Sequence, residues 1–155
     1  MPTSLADILV PKHALLHVTA VDRFDVATQA VAQLCKAGAI SEELRTIALQ
    51  AVLERERDLA TGLEHGLAVP HGFCVGLSEP VAAVVTLMHP VDFEAMDGQP
   101  TVCAVVLVEP STPEARSRHL GFLAQLAEAW MQPQVRQMVM EATTPDDLIS
   151  AWSVQ

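Results

Sequence analysis

Six histidines, His13, His17, His65, His71, His89 and His119, are the side chains of this 155-residue chain best suited to chemistry near neutral pH. A neutral imidazole offers one free lone pair, which can ligate a metal, take a proton or attack phosphorus. His71 stands apart by its context. It follows a short apolar run, Leu67-Ala68-Val69, and is fixed between Pro70 and Gly72. Proline restricts the backbone before it, and glycine lets a large group approach closely. A strand end beside a glycine-bearing loop is where α/β folds place their sites. A functional His71 therefore stands beside the plainer reading of a satisfied structural histidine. His13 and His17 are expected at the surface or a sheet edge, and His89, before Pro90, in a turn at a strand end.

Other chemistries find less support. The nearest metal-ligand set, His65, His71 and Cys74, does not have a standard zinc spacing. No metal or cofactor is expected. There is no Gly-x-Ser-x-Gly and no cysteine–histidine context for a nucleophile. No phosphate-cradling glycine loop of the nucleotide-binding types is present. His119 borders the apolar side of an expected helix over Thr112–Met131, either as a half-buried boundary residue or as a second imidazole aimed at the site. Arg55 and Arg57 lie in Glu54-Arg55-Glu56-Arg57-Asp58. That run reads as an exposed helix end with screened pairs, or as the source of one arginine turned toward the loop to bind an oxyanion.

The elements that must position these residues follow from apolar periodicity. Ser4 caps a short helix, Leu5–Leu9, and Leu15–Val18 is a strand. Asp22 opens a helix with a stripe of Phe24, Ala27, Val31 and Leu34, ended by Gly38. The next helix begins at Ser41-Glu42-Glu43 and runs to about Arg57, with Leu44, Ile47, Ala48, Ala51 and Val52 on its apolar side. Residues 61–66 read as loop. Val81–Met88 and Thr101–Val108 read as strands buried on two faces, with a turn at Asp97-Gly98. Thr112-Pro113 starts a helix whose apolar face is Leu120, Leu123, Leu126, Ala127 and Trp130. Gln132-Pro133 opens another, with Val135, Met138 and Val139 inward. Thr144-Pro145-Asp146-Asp147 opens the last. The order of helices, strands and helices predicts an α/β fold, a small mixed sheet sandwiched by helices, as a single domain over 1–155.

Composition narrows the partners. Half of the residues are hydrophobic and the formal net charge is −10. With no run rich in lysine and arginine, neither nucleic acid nor an anionic membrane surface suits the chain. A basic protein partner suits it better. The three cysteines, Cys35, Cys74 and Cys103, read as small buried residues of a reducing cytosol. No signal peptide and no stretch long enough to span a bilayer is visible, so a cytoplasmic location is expected.

The stretch from Arg55 through Thr61-Gly62 and Gly66-Leu67-Ala68-Val69-Pro70-His71-Gly72 resembles the signature of the enzyme IIA proteins of the bacterial phosphoenolpyruvate:sugar phosphotransferase system. The similarity is to the fructose/mannitol class, which includes the nitrogen-regulatory enzyme IIA. It extends in order through Leu5–Leu9, Lys36–Ser41, Val91–Pro100 and His119–Ala127, and so covers nearly the whole chain. The resemblance implies that class's α/β sandwich and a phosphocarrier. His71 would receive a phosphoryl group from phospho-HPr, or its nitrogen-branch paralogue, and pass it to an enzyme IIB or a regulated target. His119 would be the second active-site histidine, and Arg55, Thr61 and Gly72 would bind the phosphoryl oxygens. The chain departs from the signature at Ala60, which replaces a serine, and at Glu64 and His65, which replace glycine and asparagine. Glu64 sets a negative charge beside an anion site, or else it is solvated. With no enzyme IIB or membrane segment expected on 155 residues, nitrogen-type regulation is favoured over sugar uptake. The alternative is a protein-binding regulatory module that is not phosphorylated efficiently.

Overall fold

A computed structural model describes residues 4–153. Five strands form one mixed sheet: β1 (Ala14–Val18), β2 (Leu67–Ala68), β3 (His71–Cys74), β4 (Val81–Val91) and β5 (Thr101–Pro110). β4 and β5 pair antiparallel at the centre, and β1 lies parallel to β4 on one side. On the other side β2 and β3 both lie parallel to β5. Leu67 faces Cys103 and His71 faces Leu107, so β2 and β3 keep one register across the break at Val69-Pro70. The carbonyl of Pro70 accepts from the N–H of Leu107 at 2.9 Å, which carries the ladder through the break. His71 therefore begins a strand rather than following the end of one. Proline donates nothing to a ladder, and the strand resumes as soon as the chain has passed it.

The central strands carry apolar side chains to both faces. Cys103, Val105 and Leu107 enter one core, against α1 (Leu5–Ile8), α4 (Pro113–Trp130), α5 (Pro133–Glu141) and α6 (Pro145–Ala151). Ala104, Val106 and Val108 enter the other, against α2 (Arg23–Lys36) and α3 (Glu42–Asp58). Period-two alternation with apolar residues at both phases gives this two-sided burial. Asp22 caps α2 by accepting from the N–H of Asp25, and Thr112 and Thr144 cap α4 and α6 in the same manner. Among the described residues, no helix is long and apolar enough to cross a membrane. The three cysteines are buried and free.

Four expectations need correction. Leu120 is 74% exposed, and the buried stripe of α4 runs instead through Ala115, Phe122, Leu126 and Trp130. His119 falls within that stripe, at helical spacing between Ala115 and Phe122. In α3 Ile47 is exposed, while Ala48, Val52 and Glu56 turn inward. The cause is Gly72: a Cβ there would meet Ala51 C and Val52 N at 2.8 Å, so α3 lies backbone-close on β3 with its small residues inward. His13 is buried, because the single turn Pro11–His13 folds it under the start of β1 while Lys12 points out. His89 lies inside β4, which continues to Val91 past an irregularity in its pairing.

Candidate functional site

Alternation along β3 decides which way each side chain faces. Gly72 and Cys74 turn to α3, so His71 and Phe73 turn to α4. There His71 meets His119, with ring centroids 4.5 Å apart and planes tilted by 50°. Phe73 meets the edge of His119 at 5.2 Å, and the Arg116 guanidinium lies 4.1 Å above the Phe73 ring. Sequence spacing thus brought the two candidate imidazoles into one contact, from strand and helix.

The state of the His71 ring follows from its surroundings. It is 6% exposed, and its Nδ1 lies 2.8 Å from the carbonyl oxygen of Val69. A carbonyl only accepts, so Nδ1 carries the proton and donates it. The lone pair of the neutral ring is then on Nε2. Burial is the main force lowering the pKa, from 6.5 to about 4. The Val69 carbonyl opposes that shift, while the charges of His119 and Arg55 add to it. His71 is therefore an uncharged imidazole throughout the physiological range.

The other candidates stand further back. Arg55 donates to the carbonyl of Leu59 at 2.7 Å and reaches His71 through its field. Thr61 is buried, but its hydroxyl and its N–H both go to the carboxylate of Glu56, at 2.6 and 2.9 Å. The carbonyl of Thr61 accepts from the N–H of Val69. Thr61 thus ties the loop to the segment that ends in His71. The space beside the Gly72 Cα belongs to α3, not to a ligand. Glu64 is 68% exposed and lies 3.9 Å from the ring of exposed His65. His65, His71 and Cys74 do not converge, since Cys74 sits in the core on the opposite face. Among the described residues, no cluster of three or more histidine, cysteine or carboxylate side chains could hold a metal ion.

Two functional candidates escaped sequence reasoning. Glu56 is buried at the end of α3, where it accepts from Thr61 and pairs with Arg23 at 3.3 Å. Its signal was helical spacing from Ala48 and Val52, hidden within a charged run. Glu109 is buried at the end of β5, hydrogen-bonded to Nδ1 of His119. Its signal was a lone charge closing an apolar strand.

Comparison with known proteins bears on the whole arrangement. Residues 7–153 match the family model described as "Phosphoenolpyruvate-dependent sugar phosphotransferase system, EIIA 2". A nitrogen regulatory protein of Pseudomonas aeruginosa is 33% identical over 148 residues, covering 93% of this chain and 91% of the relative. A 2-O-alpha-mannosyl-D-glycerate-specific EIIABC component of Escherichia coli is 39% identical over 103 residues, 66% of this chain. The aligned part makes up only 16% of that longer relative. The crystal structure of nitrogen regulatory protein IIA-Ntr from Neisseria meningitidis superposes with a TM-score of 0.82 at 25% identity, covering 96% of this chain and 98% of that one. A sheet with helices on both faces, and a family match running from α1 to the end of α6, make this chain a member of the EIIA 2 family of the phosphoenolpyruvate-dependent sugar phosphotransferase system.

Proposed function

We propose that the chain is a phosphocarrier that accepts a phosphoryl group on Nε2 of His71. The observation that carries this reading is the hydrogen bond from Nδ1 to the Val69 carbonyl in a ring that burial keeps neutral. It directs the lone pair to one atom. Transfer from a phosphohistidine donor of the HPr type breaks that donor's P–N bond and forms one to Nε2 of His71. The donor imidazole departs with the electron pair, so no oxidant and no cofactor is needed. Imidazole replaces imidazole, which keeps the step near thermoneutral and reversible. Phosphoryl transfer depends mainly on positioning and charge stabilisation. In this reading His119 donates to the phosphoryl oxygens, Arg55 supplies a nearby positive field, and Thr61 and Gly72 fix the loop and strand that carry His71.

The phosphoryl group then passes to an enzyme IIB or acts as a regulatory signal. The nitrogen-type reading is favoured by end-to-end similarity to a nitrogen regulatory protein and to the IIA-Ntr structure. A donor charged from phosphoenolpyruvate carries with it a cytoplasmic location. The test is incubation with phosphoenolpyruvate, enzyme I and HPr, followed by intact mass measurement. One acid-labile, base-stable phosphoryl adduct is expected. Its persistence in His71→Ala would overturn the assignment.

A further inference from the structure

His119 commits one ring nitrogen to the fold. Nδ1 is hydrogen-bonded to Oε2 of Glu109, which leaves Nε2 as the nitrogen available to the site. Glu109 is fully buried, and its Oε1 has no hydrogen-bond partner among the described residues. Beside the ring stand His71 and Phe73 on β3, the Arg116 guanidinium of α4 lies over Phe73, and the charge of Arg55 on α3 acts on His71. Arg55 donates to the Leu59 carbonyl and Arg116 to the Ser111 hydroxyl, so neither replaces His119 as the bonded partner of Glu109.

An ionised Glu109 beside a neutral ring would leave a buried charge without its counter-charge, which protein interiors disfavour. Two balanced forms avoid this. In one, a carboxylate pairs with an imidazolium. In the other, a carboxylic acid donates to Nδ1 of a neutral ring. Both hold two protons, and in both Nε2 carries one of them. The position of the bridging proton makes no difference to the site.

We propose that Glu109 is a positioning residue for His119, fixing the ring through Nδ1 and keeping a proton on Nε2 at neutral pH. The second imidazole is thereby a standing hydrogen-bond donor to a phosphoryl group on His71. This role rests on the phosphocarrier reading; the protonation state of the pair does not. The carboxylate acts through His119 and touches no reacting atom.

The test uses the unphosphorylated chain with ¹⁵N-labelled histidine, observed by NMR at about pH 8, well above the ordinary imidazole value. Nε2 of His119 should have the shift of a protonated nitrogen. In Glu109→Leu nothing at Nδ1 holds the ring or a second proton, so the neutral ring shares one proton between its two nitrogens and Nε2 should move away from the fully protonated shift. Phosphoryl acceptance in that variant should fall about tenfold to a hundredfold at this pH, as for a lost hydrogen bond to a charged group. It should recover as the pH falls toward about 6.5, where a free imidazole takes up a proton. An unprotonated Nε2 in the wild-type protein would overturn the proposal, and that spectrum is decisive even if the variant does not fold. So would one unchanged state in both proteins. Failure of His71 to take phosphate would overturn the phosphocarrier reading alone, because the spectra involve no phosphoryl group.

Discussion

Two glutamates are buried completely, one on each side of the sheet, and their surroundings differ. Glu56, on the α3 side, receives the Thr61 N–H and hydroxyl and pairs with Arg23, which also reaches Glu94 at 2.7 Å. Glu109, on the α4 side, has His119 as its bonded partner and one oxygen unserved among the described residues. A carboxylate with several fixed donors is a structural knot, because every lone pair it uses ties down another segment. A carboxylate with one titratable partner is a tuning device, because what it changes is that partner's protons. The same residue type thus builds the loop in one layer and conditions the chemistry in the other.

The contrast breaks first on stability. Glu56→Gln leaves Arg23 and two Thr61 donors poorly matched, and should cost about 3 kcal/mol, as when one partner of a buried pair is removed. Glu109→Gln keeps its single hydrogen bond and should cost about 1 kcal/mol or less. Urea denaturation of both variants measures this. Equal losses would mean that the two carboxylates are alike.

A pH series sharpens the contrast on the histidine side. The pKa of His71 is lowered from 6.5 to about 4 in the fold, so between those values the unfolded chain binds the extra proton. Stability should be full above about pH 6.5 and fall as the pH drops toward about 4, by about 3 kcal/mol from this group. Buried His13, also lowered, adds in the same direction. In His71→Gln the acid slope should shrink to what His13 and the carboxylates leave. An unchanged slope would show that His71 titrates as an exposed ring does.

Exposed Glu64 gives the smallest effect. Its carboxylate is solvated, so Glu64→Gly should leave the phosphorylated fraction at equilibrium with phospho-HPr unchanged at low and high salt. A rise confined to low salt would mean that a surface charge does the tuning assigned here to a buried one.

Much of the frame was legible because it rests on apolar pattern. Thr101–Val108 announced a strand covered on both faces, and Thr112-Pro113 announced a helix start. His71 stood out as a candidate through Pro70 and Gly72, while the closeness of α3 to the Gly72 Cα could not be read from the sequence. Glu56 and Glu109 were not legible, because a charged residue reads as solvated until its partners, distant in sequence or on another element, are known. Leucine-rich spacing drew the face of α4 through Leu120, one residue away from His119. Only the approach of β3 shows that the imidazole points inward.

The carbonyl that orients His71 belongs to the main chain of Val69, and every amino acid has one. Single codon changes at position 69 can alter what fills the core but cannot delete that oxygen. The feature that selects which nitrogen reacts is therefore invisible to comparison of side chains among relatives. It is inherited with the path of the backbone, and mutation can lose it only by bending that path.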